Sequence, residues 1–291
     1  MASSDPALDT GTLLRPEDFG DAAALVREAG WNQIDADWRI FLDLGKVFAV
    51  RNGEGRVIAT AAVLPFDGFG WISMVLVAGD FRRRGLASQL MRRCIDALVA
   101  GGCVPVLDAT PDGRQVYGAL GFEDTWSFHR FTLRERRPLP EPDPPPSGVV
   151  VRPIDEAVWP RLCGYDAAAF GADRGALLAR LRGRLPAGEL VALRGDRVVG
   201  FLMGRDGRTC AQLGPLVAED DDIARALMAR AVAAVPGPLY VDVADAHPAI
   251  RAWLEHRGFT TQRPLTRMVY RRATGFDDPA RTYAVVGPEF G

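Results

Sequence analysis

A chain of 291 residues, 48% of them hydrophobic, holds enough apolar material for more than one core, and its length favours two domains over one. Its 35 basic and 37 acidic residues nearly cancel, so the chain carries no global positive field of the kind that marks nucleic-acid or anionic-membrane binding. The four cysteines (Cys94, Cys103, Cys163, Cys210) form no C-x-x-C pair and have no histidine at metal-ligand spacing, which excludes a zinc signature and fits a reducing, cytoplasmic setting. The opening MASSDPALDTG is polar and acidic, without the apolar stretch of a secretion signal, and no apolar run reaches membrane-spanning length.

In chain order, residues 1–14 read as a frayed lead-in. Pro16–Gly30 is predicted as a helix closed by glycine, and WNQIDADWRIFLDLG as a second, aromatic and acidic one. Val47–Val50 and Arg56–Leu64 are predicted strands around the turn Asn52-Gly53-Glu54-Gly55. Gly70–Val77 is a strand that runs into a basic loop. Gly85 then opens a helix on which Leu86, Leu90, Cys94 and Leu98 recur about one turn apart, so Cys94 belongs to the core. Val104–Ala109 is another strand, followed by a short helix to Leu120, Gly121-Phe122 and a strand through Leu133.

Arg137–Gly148 (RPLPEPDPPPSG) holds six prolines and can form neither a helix nor a central strand. It is predicted as a linker between a domain at 1–136 and a second at 149–291. After it the chain begins again, VVVRPID echoing LLRPED. DATPDGRQVYGALGF (108–122) laid over DAHPAIRAWLEHRGF (245–259) without a gap shares Asp, Ala, Pro, Arg, Gly and Phe, six of fifteen positions. Both segments follow apolar strands and precede another. The second half reads as a diverged copy of the first.

The stretch MVLVAGDFRRRGLASQL (74–90) is strand, basic glycine loop, helix. A helix start offers unpaired N–H groups and the positive end of the helix dipole, a seat for phosphate. Neither the Walker spacing nor G-x-G-x-x-G occurs in it. Its R-x-x-G-x-A (Arg82, Gly85, Ala87) resembles the pyrophosphate loop of the GNAT superfamily of N-acetyltransferases. Tyr117, in Y-x-x-x-G-F, resembles that family's general acid. The whole chain is similar to a tandem subgroup with GWN…DW, LDATP…Y, FGADR and LGPLVA segments.

The resemblance implies an α/β (α+β) fold: two tandem domains, each a mixed, mostly antiparallel twisted sheet flanked by helices. It implies acetyl-CoA as co-substrate, with the pyrophosphate on Arg82, Arg83, Arg84, Gly85, Leu86, Ala87 and Ser88. The pantetheine would lie along the backbone of Val75, Leu76 and Val77. An acceptor amine attacks directly, backbone N–H holds the oxyanion, Tyr117 protonates the departing sulfur, and no metal is required. A proton donor within reach of a thiolate is worth roughly 10²–10⁴-fold. The glutamate that serves as base on the loop-feeding strand of some family members is missing from WISMVLV, which leaves Asp37, Asp108, His129 or a water relay as candidates. Asp108 recurs as Asp245 in the other copy, which favours a fold role such as capping the next helix.

By the same resemblance the acceptor, a small-molecule primary amine, is lined by Trp31, Asn32, Asp37 and Trp38 from the early helices. The cluster DAAAFGADR (Asp166, Phe170, Asp173, Arg174), placed just after a helix, adds Asp173 and Arg174. The second copy has LVAEDDDIARALM at the loop, with Glu219, Asp220, Asp221 and Asp222 and no glycine. Leu254 stands in place of Tyr117. That half is expected not to bind CoA but to complete the acceptor pocket. An acyl-CoA sensor, a non-catalytic partner protein and a transferase using another acyl or aminoacyl donor are the alternatives. A monomer or homodimer fits without nucleic-acid or membrane partners.

Overall fold

The computed structural model describes residues 12–135 and 144–291. The first eleven residues, and with 136–143 most of the proline-rich linker, lie outside the described residues. The chain divides into two compact units, Met1–Val106 and Leu107–Gly291.

In the first unit a short strand β1 (Thr12–Leu13) leads through a 3-10 turn into helix α1 (Phe19–Glu28) and then α2 (Asp35–Leu44). Strands β2 (Lys46–Arg51), β3 (Val57–Pro65) and β4 (Phe69–Val77) follow as an antiparallel meander, with β1 on the outer edge of β2. The turn between β2 and β3 is held by the Asn52 side chain, which accepts from the N–H groups of Glu54 and Arg56. Helix α3 (Leu86–Ala100) crosses over to β5 (Val104–Ala109), which pairs parallel with β4. Strand β3 is buried along eight of its nine residues, as an apolar strand covered on both faces must be. The α3 stripe (Leu86, Leu90, Cys94, Leu98) is buried as its spacing predicts, joined by Met91 and Ile95.

The second unit takes up helix α4 (Pro111–Ala119), β6 (Phe122–Leu133), β7 (Val150–Pro153), α5 (Trp159–Phe170) and α6 (Gly175–Leu181). Strands β8 (Leu190–Arg194), β9 (Arg197–Arg205) and β10 (Ala211–Ala218), helix α7 (Asp221–Ala234) and β11 (Leu239–Ala244) follow. Helix α8 (Pro248–His256), β12 (Thr260–Tyr270) and β13 (Thr282–Ala284) complete it. Its strand order is β12-β6-β11-β13-β10-β9-β8-β7. The segment Asp166–Arg174, predicted to follow a helix, is a correction: Asp166 and Phe170 lie within α5, and only Gly171 ends it, in the left-handed region.

Strand β6 comes from the first sequence copy yet lies antiparallel between β11 and β12 of the second. Phe128 on β6 sits directly opposite Leu265 on β12. These two residues occupy the same place in the repeat, so a local twofold relation passes between them. It also relates Arg130 to Arg267. Each arginine reaches an aspartate from the other copy. Arg130 grips Asp242 at 2.7 and 2.6 Å, and Arg267 grips Asp108 at 2.9 and 2.9 Å. Gln212 adds a third donor to Asp242, and Asp277 a second carboxylate to Arg267. All four charged side chains of the two pairs are buried. This crossing is why the compact units part at Val106–Leu107, within β5, and not at the linker: the last strand of the first copy is hydrogen-bonded on both sides to strands of the second.

Asp108 has a fold role, but not as the expected helix cap. The structure corrects the detail: Thr110 caps α4, accepting from Gly113 N, while Asp108 holds Arg267.

Removing one partner of such a pair strands the other charge in the core. Asp242→Ala is expected to cost about 3–5 kcal/mol in urea unfolding, and Arg130→Met combined with Asp242→Leu to recover most of that loss. A single-variant cost under about 1 kcal/mol would show that the pair is not sequestered from water.

Burial pushes the Asp108 carboxyl up to about 6 from 3.8, with Arg267 pulling it back and Asp277 and Asp242 adding to the rise. Between these values the native state holds a proton that the unfolded chain lacks. The stabilisation from this group is therefore full below about pH 4 and lost as pH rises through about 6. Asp108→Asn should gain on the parent protein by up to about 3 kcal/mol between pH 4 and 7. A difference that stays flat across that range refutes the assignment.

Candidate functional site

The basic loop belongs to the first unit. After β4 the chain makes a 3-10 turn at Gly79–Phe81, and Gly85 starts α3 in the left-handed region (φ 80°) with no side chain capping the first turn. Glycine is required at that φ. The first amides of α3 are thus left to an external acceptor, with the dipole's positive end behind them. Arg82 is pinned rather than free: its Nε donates to Val77 O at 3.0 Å, and its Nη2 reaches Glu28 at 3.2 Å. Glu28 also accepts from Gly79 N–H at 2.6 Å. Arg84 donates to Asp80 O and lies over the Phe81 ring. Arg83 is exposed, also at positive φ (60°), and has no ion pair among the described residues. Leu86 is buried under the helix, while Ala87 and Ser88 are half-buried.

Immediately upstream, β4 bulges. Thr60 pairs with Leu76 and Ala62 with Ser73, so Met74 and Val75 together face Ala61. Met74 takes the left-handed conformation (φ 53°), and its carbonyl accepts from the buried Thr60 hydroxyl at 2.9 Å. A bulge re-aims the backbone of the strand that carries it. The β4–β5 ladder ends at Trp71–Val106. Among the described residues no strand pairs with Val75–Val77 on the edge away from β3; Val77 O is taken by Arg82 Nε, and the other backbone groups on that edge have no strand partner.

The second copy repeats this geometry and then fills it. On β10, Leu213 pairs with Gly204 and Leu216 with Leu202, so Gly214 and Pro215 occupy the bulge. Pro215 has no N–H to offer. The parallel ladder to β11 stops at Leu213–Val241, and β13 takes the vacated edge, pairing antiparallel with β10 and with Val243 of β11. A side chain at Gly214 would meet Val285 O at 2.0 Å. Residues 282–286 and 289–291 are buried, anchored by Glu289 on Arg205 and by Arg174 on Gly291 O at 2.9 Å.

The helix start of this copy is closed as well. Asp220 caps α7 by accepting from Ile223 N at 2.9 Å, Glu219 pairs with Arg194 and Arg197, and Asp221 accepts from the Tyr283 hydroxyl. The expected acid-rich loop is there, and its carboxylates have structural partners.

Tyr117 stands half-buried on α4, its ring against Gly113 and edge-on to Phe122 at 6.3 Å. Its counterpart Leu254 is fully buried in the second unit's core. Of the residues expected at the acceptor, Trp31 is half-buried and Asn32 buried at the turn between α1 and α2. Trp38 and Asp37 are wholly buried, and Asp37 accepts from Ile34 N at 2.9 Å as the first-turn residue of α2. Asp173 is exposed and accepts from Gly175 N. Arg174 is buried in a bidentate pair with Asp166 at 2.8 and 2.9 Å, over the Phe170 ring.

Sequence reasoning missed the Met74 bulge, the Glu28–Arg82 pairing and the β13 strand. The proline inside LGPLVA was a readable signal, since proline in a central strand marks a bulge. Asp245, which follows β11, accepts from the Ser127 hydroxyl and meets His129 Nδ1 at 2.6 Å, a cluster that no sequence spacing announces. Among the described residues no helix is long and apolar enough to cross a membrane, and no group of three or more His, Cys, Asp or Glu could hold a metal ion.

Two family models match the chain. One, described as Acetyltransferase (GNAT) family, covers residues 15–122, and the other, Acetyltransferase (GNAT) domain, covers residues 162–284. A Bacillus subtilis (strain 168) protein described as the uncharacterized N-acetyltransferase YitH is 22% identical over 279 residues, 96% of this chain and 97% of that protein. The crystal structure of a putative acetyltransferase from Pyrococcus horikoshii superposes with a TM-score of 0.76 at 18% identity, over 96% of this chain and 95% of that one. A tandem GNAT protein from the clavulanic acid biosynthesis pathway superposes with a TM-score of 0.66 at 16% identity, over 89% and 97% of the two chains. At these identities the structural likeness speaks for the fold.

Proposed function

The chain belongs to the GNAT acetyltransferases, with one such domain in each half, and from that membership we propose that the first copy alone binds acetyl-CoA and transfers its acetyl group to a primary amine of a small molecule. The contrast between the copies carries this reading. One bulged strand keeps an open edge beside an uncapped helix start. The other has its edge covered by β13 and its helix capped by Asp220.

Acetyl-CoA supplies an acyl thioester and a thiolate leaving group. The amides of Gly85, Leu86, Ala87 and Ser88, with Arg82, Arg83 and Arg84 around them, suit the pyrophosphate. The open backbone of Val75, Leu76 and Val77 suits the amide-bearing pantetheine arm. Tyr117 gives its proton to the departing sulfur. Trp31 and Asn32 belong to the acceptor side, with Asp173 the exposed carboxylate of that set. Asp37, Trp38 and Arg174 are assigned to holding helices in place, because each is buried. The second copy serves as scaffold.

Calorimetric titration with acetyl-CoA tests the donor reading. One site per chain is expected, lost in Gly85→Trp, which puts a bulky side chain at a left-handed position, and weakened at least tenfold in Arg82→Glu. Two sites would mean that the second copy also binds; no site would remove the donor assignment. In steady-state assays Tyr117→Phe should lower kcat by roughly 10²–10⁴-fold with little change in acetyl-CoA affinity. An unchanged kcat would take the acid role from it.

A further inference from the structure

Within the first unit, helix α1 is anchored at its start. Asp18, just ahead of it, pairs with Arg51 of β2 at 2.8 and 2.7 Å, and Asp21 in its first turn accepts from Val57 N of β3 at 2.8 Å. Ala22, Leu25 and Val26 bury its inner face. Asp21, Leu25 and Glu28 recur at i, i+4 and i+7, so Glu28 leaves the helix on the side of β3 and the basic loop. A cavity of about 180 Å³ there is lined by Leu25, Glu28, Ile58, Ala78, Asp80 and Phe81, among others.

Glu28 does not serve the helix it ends, because the negative end of the dipole disfavours a carboxylate in the last turn. Its Oε1 serves the loop instead, accepting from Gly79 N–H at 2.6 Å and from Arg82 Nη2 at 3.2 Å. A Cβ on Gly79 would stand 2.7 Å from that oxygen, so glycine is what admits it. Arg82 is held at two points, Nε on Val77 O and Nη2 on Glu28, with three of its five N–H groups left for an anion. Among the described residues the second copy has no such tie. Counted from the RP of LLRPED and VVVRPID, Tyr165 stands where Glu28 does, and its hydroxyl donates to Val199 O at 2.9 Å. Counted from the two bulges, Glu219 stands where Gly79 does, and its N–H donates to Val199 O at 3.0 Å. The acid and the glycine that admits it are present together in the copy with the uncapped helix start, and both are exchanged in the capped one.

We propose that Glu28 is a positioning residue for the donor: acting through Gly79 and Arg82, it holds the loop at 79–85 in the shape that receives a pyrophosphate. This rests on the acetyl-CoA reading given above. No side chain from Gly79 to Gly85 is buried, so the loop's shape depends on tethers of this kind. A loop ordered in advance loses less conformational freedom when the ligand arrives, and the difference appears as affinity. Paired with Arg82, the carboxylate adds no net charge to the seat.

The test compares the full chain with Glu28→Ala, Glu28→Gln, Gly79→Ala and the Glu28→Ala/Gly79→Ala double variant. The ligands are acetyl-CoA and acetylpantetheine, which keeps the thioester arm and lacks the pyrophosphate. Glu28→Ala should weaken acetyl-CoA about five- to twentyfold by calorimetry and leave acetylpantetheine binding, followed by ligand-observed NMR, unchanged. It should also quicken hydrogen exchange at 79–85 in the ligand-free protein. Glu28→Gln keeps an accepting oxygen and should recover most of the affinity. Gly79→Ala displaces that oxygen at a position without a left-handed φ, so it should show the same loss, and the double variant no more than either alone. Equal losses for the two ligands mean a general loosening of the domain and overturn the proposal, as do additive losses in the double variant or no recovery in Glu28→Gln. Tighter acetyl-CoA binding in Glu28→Ala also overturns it, since Glu28 then competes with the phosphates for Arg82. A parent protein that binds acetyl-CoA no better than its variants removes the role of Glu28 and leaves the donor reading standing. One that does not bind acetyl-CoA overturns the donor reading, and the role of Glu28 with it.

Discussion

Two crossed ion pairs, Arg130 with Asp242 and Arg267 with Asp108, are the constraint on which the second unit depends. Each joins a strand of one sequence copy to a strand of the other, so the bidentate carboxylate on each buried arginine comes from the opposite copy. A guanidinium in the core needs a matched carboxylate, and separation of the copies would break both bidentate pairs, leaving Arg130 and Asp108 without theirs. Apolar contacts around the pairs are less particular about partner and register. The ion pairs fix which strands lie side by side, and Phe128 against Leu265 marks where the two copies meet.

Duplication gave the chain two bulged strands and two strand-to-helix loops, and the copies then diverged in what they leave exposed. In the first, Met74 accepts a left-handed backbone, and among the described residues no strand pairs with the edge beyond Trp71 and no side chain caps the start of α3. Such features are costly in isolation, and strained backbone together with unsatisfied amides is characteristic of a place where a ligand binds. In the second, the same openings are closed from within the chain. Pro215 removes a donor, β13 pairs with the bare edge, and Asp220 takes the helix amides. The closed copy has a continuous core around α7 and β11, and the open copy keeps an exposed helix start and strand edge.

Much of this could be read from residues in order. The strand-loop-helix unit at 74–90, the buried stripe of α3, the glycine that must sit at residue 85 and the placing of Tyr117 on a short helix before Gly121-Phe122 all follow from local spacing and from what glycine and proline permit. The repeat was visible in six matched positions. The Asp108 assignment shows where such reading falls short: a fold role could be inferred from its recurrence, but its partner, Arg267, lies 159 residues away. Residues 37, 38 and 174 show the same limit from the other side. Their types suit an acceptor site, and only the tertiary structure shows that all three are buried.

The sequence by itself determined the local elements, the duplication and the loss of glycine and tyrosine in the second copy, because these depend on backbone preference and residue identity within a few turns. Tertiary structure alone decided that β6 crosses into the second copy's sheet, that residues 282–284 cover its open edge, and that Ser127, His129 and Arg251 converge on the Asp245 carboxylate. The reason is physical. Strand pairing and ion pairing join groups more than a hundred residues apart, and their partners are selected by the register and burial of the whole sheet, which no window of sequence contains.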